Sequence, residues 1–130
     1  MTAPLTIHGS AIHDIPSLYA ELDRVLMPDE DWTLGESLDA LDDLLYGGFG
    51  VLDGAAPVGI CWRDHDQART GLGLEATLAY YEAKRARPEV YSVAAAESAI
   101  AGLHAGTGPT YFELVLQVFR DHPNIELTLA

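Results

Sequence analysis

Four carboxylates fall within eight residues in the segment GESLDALDDLL, Gly35 to Leu45: Glu36, Asp39, Asp42 and Asp43, with no base among them. The pattern admits three kinds of chemistry: acid–base work by a carboxylate pair, metal ligation, or an anionic surface held ready for a basic partner. Acid–base pairs usually come from separate elements around a cleft, whose environments drive the two pKa values apart. Two carboxylates one helical turn apart on a solvated face have little means of doing that. Metal ligation fares no better. A calcium loop begun at Asp29 puts Leu34 where the sixth-position glycine belongs and Ala40 where the final acid belongs. Asp64, His65 and Asp66 are adjacent, so their side chains cannot all converge on one ion, and a polar turn is expected there. His8, His13, His104 and His122 show no ligand spacing. The chain has no phosphate-binding loop, no Gly-x-Ser-x-Gly elbow and no Cys/His pair. Its one cysteine, Cys61, forms no internal disulfide and is expected as a buried, inert thiol in the apolar run VGICW. Neither enzymatic activity nor a metal or cofactor is expected.

The anionic surface remains, and the element that carries it explains why. On a helix at about 100° per residue, Leu38, Leu41, Leu44 and Leu45 cover one broad face. Glu36, Asp39 and Asp43 form a stripe opposite, with Asp42 between. The leucines dock the helix on a core. Stability does not account for the stripe. Asp39 and Asp43 are like charges at i,i+4, at a cost of a few tenths of a kcal/mol. Asp42 and Asp43 also sit in the last turn, where the helix dipole favours cations. An arrangement unfavourable in two ways points to use of the charge.

Around this helix, strands and helices alternate. Leu5–His8 alternates like a strand; Asp14 is placed to cap a helix with Ile15, Leu18, Leu22, Val25 and Leu26 on one side and Pro16 in its first turn. Gly47 and Gly48 in GGFG fit a left-handed cap after the acidic helix. VGICW is the most continuously apolar strand candidate. Two helical segments follow, around LEATLAYYEAKRAR and SVAAAESAIAGLHAG. Then comes a helix in TYFELVLQVFRDH with Tyr111, Val115, Val118 and Phe119 on one side and Leu114 close by, and a final strand, IELTL. Strands separated by helices predict an α/β fold with a small three-stranded parallel sheet, VGICW central and the alternating strands at its edges.

The 130 residues bound a single domain, with 48% hydrophobic and 21% charged residues. Seven bases against twenty acids give a net charge of −13. That excludes a phosphate-contacting nucleic-acid binder and disfavours anionic lipid. Between Asp14 and Asp43 stand ten acids and one base, Arg24, a surface that would concentrate a basic partner. No apolar run approaches a membrane span, and the start MTAPLTIHGS has no basic region followed by an apolar core, so a cytoplasmic protein is expected.

The order IHGSAIHDIPSLYAELDRVL, LGESLDALDDLLYGG, CWR, FELVLQVFRDH and a final IELTLA resembles the barstar family of ribonuclease inhibitors over residues 5 to 63 and 110 to 130. LDAL with an acid two residues later and VLQVFR with an acid directly after carry the likeness. The resemblance implies a barstar-like three-stranded parallel sheet with about four helices, in a bacterial intracellular protein that blocks the active site of a small, basic, secreted-type microbial ribonuclease. It further implies that Asp39 and Asp43 enter the nuclease site, with Asp43 the central anchor standing in for an RNA phosphate. Gly47 would belong to the adjoining contact loop, with Gly48 and Phe49 beside it, and Asp121 would make an outlying contact. Glu36, Asp42 and Thr33 complete the expected partner-binding set. The family's aromatic pair appears here as Thr33 and Leu34, with Trp32 one step earlier. Its tryptophan before the second aspartate is Asp42, and its aromatic after the glycine is displaced to Phe49, which fits either a replacement contact or the buried residue of a capping turn. The loop before CWR is longer, and residues 70–108 hold extra helical length. A monomer in the free state is expected. The altered aromatic rim keeps a second function class open: an acidic interaction or immunity module for a different basic toxin or nucleic-acid-binding protein.

Overall fold

The computed structural model describes residues 5–28, 30–46 and 58–130. Three strands, β1 (Leu5–His8), β2 (Val58–Arg63) and β3 (Ile125–Leu129), form an all-parallel sheet in the order β1-β2-β3. Six helices accompany them: α1 (Ile15–Leu26), α2 (Leu38–Leu45), α3 (His65–Gly71), α4 (Leu74–Arg85), α5 (Val93–Ala105) and α6 (Tyr111–Arg120), with a 3-10 turn over Gly9–Ala11. The fold is α/β with the apolar VGICW segment as the central strand, as expected.

The register aligns Ile7 with Trp62 and Trp62 with Leu129, and aligns Ile60 with Leu5 and Leu127. Ile7, Ile60 and Trp62 are buried on the helix side. The alternate row runs Thr6, Cys61, Thr128 and is half-buried or exposed. The expectation of a buried Cys61 is therefore corrected: the thiol is half-buried. Apolar neighbours along the chain hid the reason, which is that successive strand residues point to opposite faces.

Caps set the helix boundaries. In α1 the Ser17 N–H donates to Asp14 Oδ1 at 2.8 Å and the Asp14 N–H to Ser17 Oγ at 3.0 Å, a reciprocal box that satisfies two otherwise orphaned donors. Thr110 and Glu113 repeat the device at α6. The core-facing side of α6 is Tyr111, Phe112, Val115, Leu116 and Phe119, whereas Val118 and Leu114 are only half-buried. Phe112 and Phe119 meet Trp62 edge-on at 5.3 and 6.2 Å. The buried hydroxyls of Tyr19 and Tyr111 are 2.6 Å apart, and burial foremost pushes both phenols up, Tyr111 to about 12.

The polar turn expected at Asp64–Asp66 is instead the start of α3. Asp64 takes a left-handed conformation, φ 51°, and α3 follows it. Its sequence, HDQARTG, has no apolar stripe to announce a helix. It is held by tertiary contact: a Cβ on Gly9 would lie 2.1 Å from the Asp64 carbonyl oxygen, so only glycine lets the 3-10 turn pack there. Helices α4 and α5 fill most of the stretch 70–108 as a hairpin, and Gly106 at φ 77° caps the C-terminus of α5.

Candidate functional site

The acidic helix is shorter than its sequence implies. Ser37 has an extended backbone and its Oγ accepts the Ala40 N–H at 3.0 Å, so α2 begins at Leu38. Glu36 therefore precedes the cap and is not part of a helical stripe, a correction to the expected Gly35–Leu45 helix. The same cap moves Asp39 into the first turn, where the exposed backbone N–H groups favour negative charge. Leu41, Leu44 and Leu45 are fully buried, fixing the opposite face outward.

Asp42 is committed elsewhere. His122 Nε2 donates to Asp42 Oδ1 at 2.6 Å, with the histidine side chain 4% and the aspartate side chain 41% exposed. Tyr46, the C-cap residue, sits edge-on to the His122 ring at 4.6 Å while remaining 74% exposed. Asn124 Nδ2 adds a hydrogen bond to the Leu45 carbonyl at 3.3 Å. The turn between α6 and β3 is thereby pinned to the last turn of α2. Asp121, adjacent to His122, lies on that same turn, exposed, and accepts from Gln117 Nε2 at 2.8 Å.

Other acids of the Asp14–Asp43 stretch also have structural partners. Asp14 caps α1, and hydrogen bonding from Ser17 holds its carboxyl below the ordinary range. Asp23 Oδ1 accepts the Leu34 N–H at 2.7 Å, tying the segment before α2 to α1. Glu21, buried, accepts from the His8 N–H at 2.7 Å and from Arg24 Nε and Nη2 at 2.7 and 2.6 Å. Burial pushes its carboxyl up, but the Arg24 and His8 hydrogen bonds outweigh that and hold it below the ordinary range.

Asp39 and Asp43 differ from these. Both are exposed, and among the described residues neither forms an ion pair. Thr33 is exposed and Leu34 buried, so of the two positions only the threonine faces solvent. Trp32 is 46% exposed. Gly47, Gly48 and Phe49, and the glycine cap expected there, lie outside the described residues. Among those described, no three His, Cys, Asp or Glu side chains gather as a metal site.

A groove of about 410 Å³ runs beside the N-terminal end of α2, lined by Glu36, Ser37, Leu38 and Asp39 on one side and Tyr80, Lys84 and Tyr91 on the other. Lys84 Nζ lies over both tyrosine rings, 4.5 Å from Tyr80 and 5.1 Å from Tyr91. Sequence reasoning missed His122, Tyr46 and Tyr91. His122 stands 80 residues from Asp42, and only the packing of α6 on α2 brings them together; Tyr91 likewise reaches the acidic helix only through the tertiary placement of the segment after α4. A scan against protein-family models finds no match to the chain, and no curated protein matches it.

Proposed function

We propose that the chain is an intracellular inhibitor of a small, basic microbial ribonuclease, acting by presenting Asp39 and Asp43 to the nuclease active site. The observation that carries this reading is the difference among the three aspartates of α2. Asp42 is hydrogen-bonded to the buried His122, while Asp39 and Asp43 stand exposed and, among the described residues, without an ion-pair partner, on a helix docked by its buried leucines. Carboxylates so placed are complementary to Arg, Lys and His side chains that bind RNA phosphate, through charge-assisted hydrogen bonds. Their mutual repulsion is relieved when a basic site closes over them. Asp121, carried on the turn that His122 fixes to α2, extends the acidic face by one residue. The resemblance of the LDALDD and VLQVFRD segments to the barstar family supports the same assignment.

The test is inhibition of a panel of small basic ribonucleases by the purified protein, alongside Asp43→Ala and at raised salt. Inhibition lost in the variant supports the mechanism; inhibition retained in it removes Asp43 as the anchor. The second reading, a module for another basic toxin or a nucleic-acid-binding protein, draws on the altered rim: Leu34 is buried where an aromatic contact is expected, and Asp42 bonds His122 inward. Binding to such a protein with every ribonuclease inert favours it.

A further inference from the structure

We propose that the α4–α5 hairpin is the second wall of the partner-binding face, and that the groove between it and α2 takes an arginine side chain of the nuclease, stacked on Tyr91. This rests on the inhibitor reading above. The groove opposes Glu36 and Asp39 to Lys84, and at its Tyr91 end Arg87 is paired with Glu89 at 3.6 Å, so three carboxylates face two cations and the balance is negative, which suits a basic partner. Its aromatic wall already holds a cation: Lys84 lies over Tyr80 and Tyr91, and Arg87 stands 5.9 Å from the Tyr91 ring. Ring faces that attract cations within the chain attract them from a partner by the same quadrupole.

The distribution of exposed apolar surface agrees. Tyr46 closes the C-terminal end of α2, while Tyr91, 37% exposed, faces Asp39 across the groove at its N-terminal end, with Val90 beside it at 54%. The acidic helix is thus bracketed by aromatics at both ends, the composition that protein interfaces favour together with arginine. Leu74, also exposed, sits at the other end of α4 and outside the groove.

The experiment uses the full chain against small basic ribonucleases, following dissociation rates for wild type, Asp43→Ala, Tyr91→Ala, Tyr91→Phe and Leu74→Ala, with thermal unfolding of each variant as the check on folding. Loss of one cation–ring contact predicts a roughly tenfold faster dissociation for Tyr91→Ala, near wild-type rates for Tyr91→Phe, and no change for Leu74→Ala. An unchanged rate for Tyr91→Ala, with Asp43→Ala still releasing the nuclease, overturns this inference and leaves the inhibitor reading standing. Equal losses for Tyr91→Ala and Leu74→Ala overturn it too, since the effect would then follow the hairpin and not the contact. If no ribonuclease binds at all, the underlying reading falls, and this one with it.

Discussion

Asp42 and Asp43 are neighbours with the same side chain and opposite expected consequences. Removing Asp43 takes away a carboxylate that nothing in the described chain requires. Asp43→Ala should leave the melting temperature near wild type and weaken ribonuclease inhibition by about 1.5–3 kcal/mol, roughly 10- to 150-fold in Ki, the range for a hydrogen bond to a charged group. Removing Asp42 strands a buried imidazole N–H. Asp42→Ala should cost about 1–3 kcal/mol of stability, read by chemical denaturation, with a smaller effect on inhibition. A double-mutant cycle with His122→Ala makes the assignment sharp: the two losses should fall well short of adding. Strict additivity would mean the 2.6 Å contact contributes nothing.

For the elements, the same logic concerns where α2 begins. Ser37 supplies the only side-chain cap at its N-terminus among the described residues, and the helix is only eight residues long, too short to persist without capping and packing. Ser37→Ala should lower stability by about 1 kcal/mol, and because the cap also positions Asp39, inhibition should weaken as well. Ser37→Asp should restore both, since aspartate caps equally well and adds a favourable charge to the first turn. The hairpin α4–α5 packs chiefly on itself. Its sequence announced two helices by composition, but nothing in it told which part of the sheet or which other helix it would stand beside.

Two properties belong to the whole molecule. With a net charge of −13, association with a basic nuclease should slow steeply as salt rises while dissociation changes little, because long-range steering is screened and contact is not; a dissociation rate that rises as steeply would contradict it. Acid should unfold the protein partly through Glu21. Its folded-state pKa lies below the ordinary carboxylate value. Its contribution is therefore complete above the unfolded value and lost as pH falls through the lowered folded one. Denaturant midpoints measured from pH 6 down to pH 3 should decline more shallowly in Glu21→Gln than in wild type, from a lower starting point; parallel curves would assign the acid sensitivity to other carboxylates.

The sequence alone determined what depends on neighbours along the chain. Strand and helix identity followed from apolar period, the cap at Asp14 from residue type, and the parallel α/β class from the alternation of elements, since each rests on contacts within a few residues. The outward position of Asp39 and Asp43 followed likewise from the leucines opposite them. Tertiary structure alone decided that α3 is a helix, because it packs on the 3-10 turn that follows β1 at the same end of the sheet. The structure also decided that Cys61 faces away from the core, that Glu36 leaves the helix, and that Asp42 is spoken for by His122. The α3 helix and the Asp42–His122 bond depend on which group from a distant segment arrives alongside, and pattern along a chain does not encode that arrival; Glu36 and Cys61 turned instead on the local Ser37 cap and on which strand face meets the helices. The separation of three like aspartates into one structural and two available is a property of the fold.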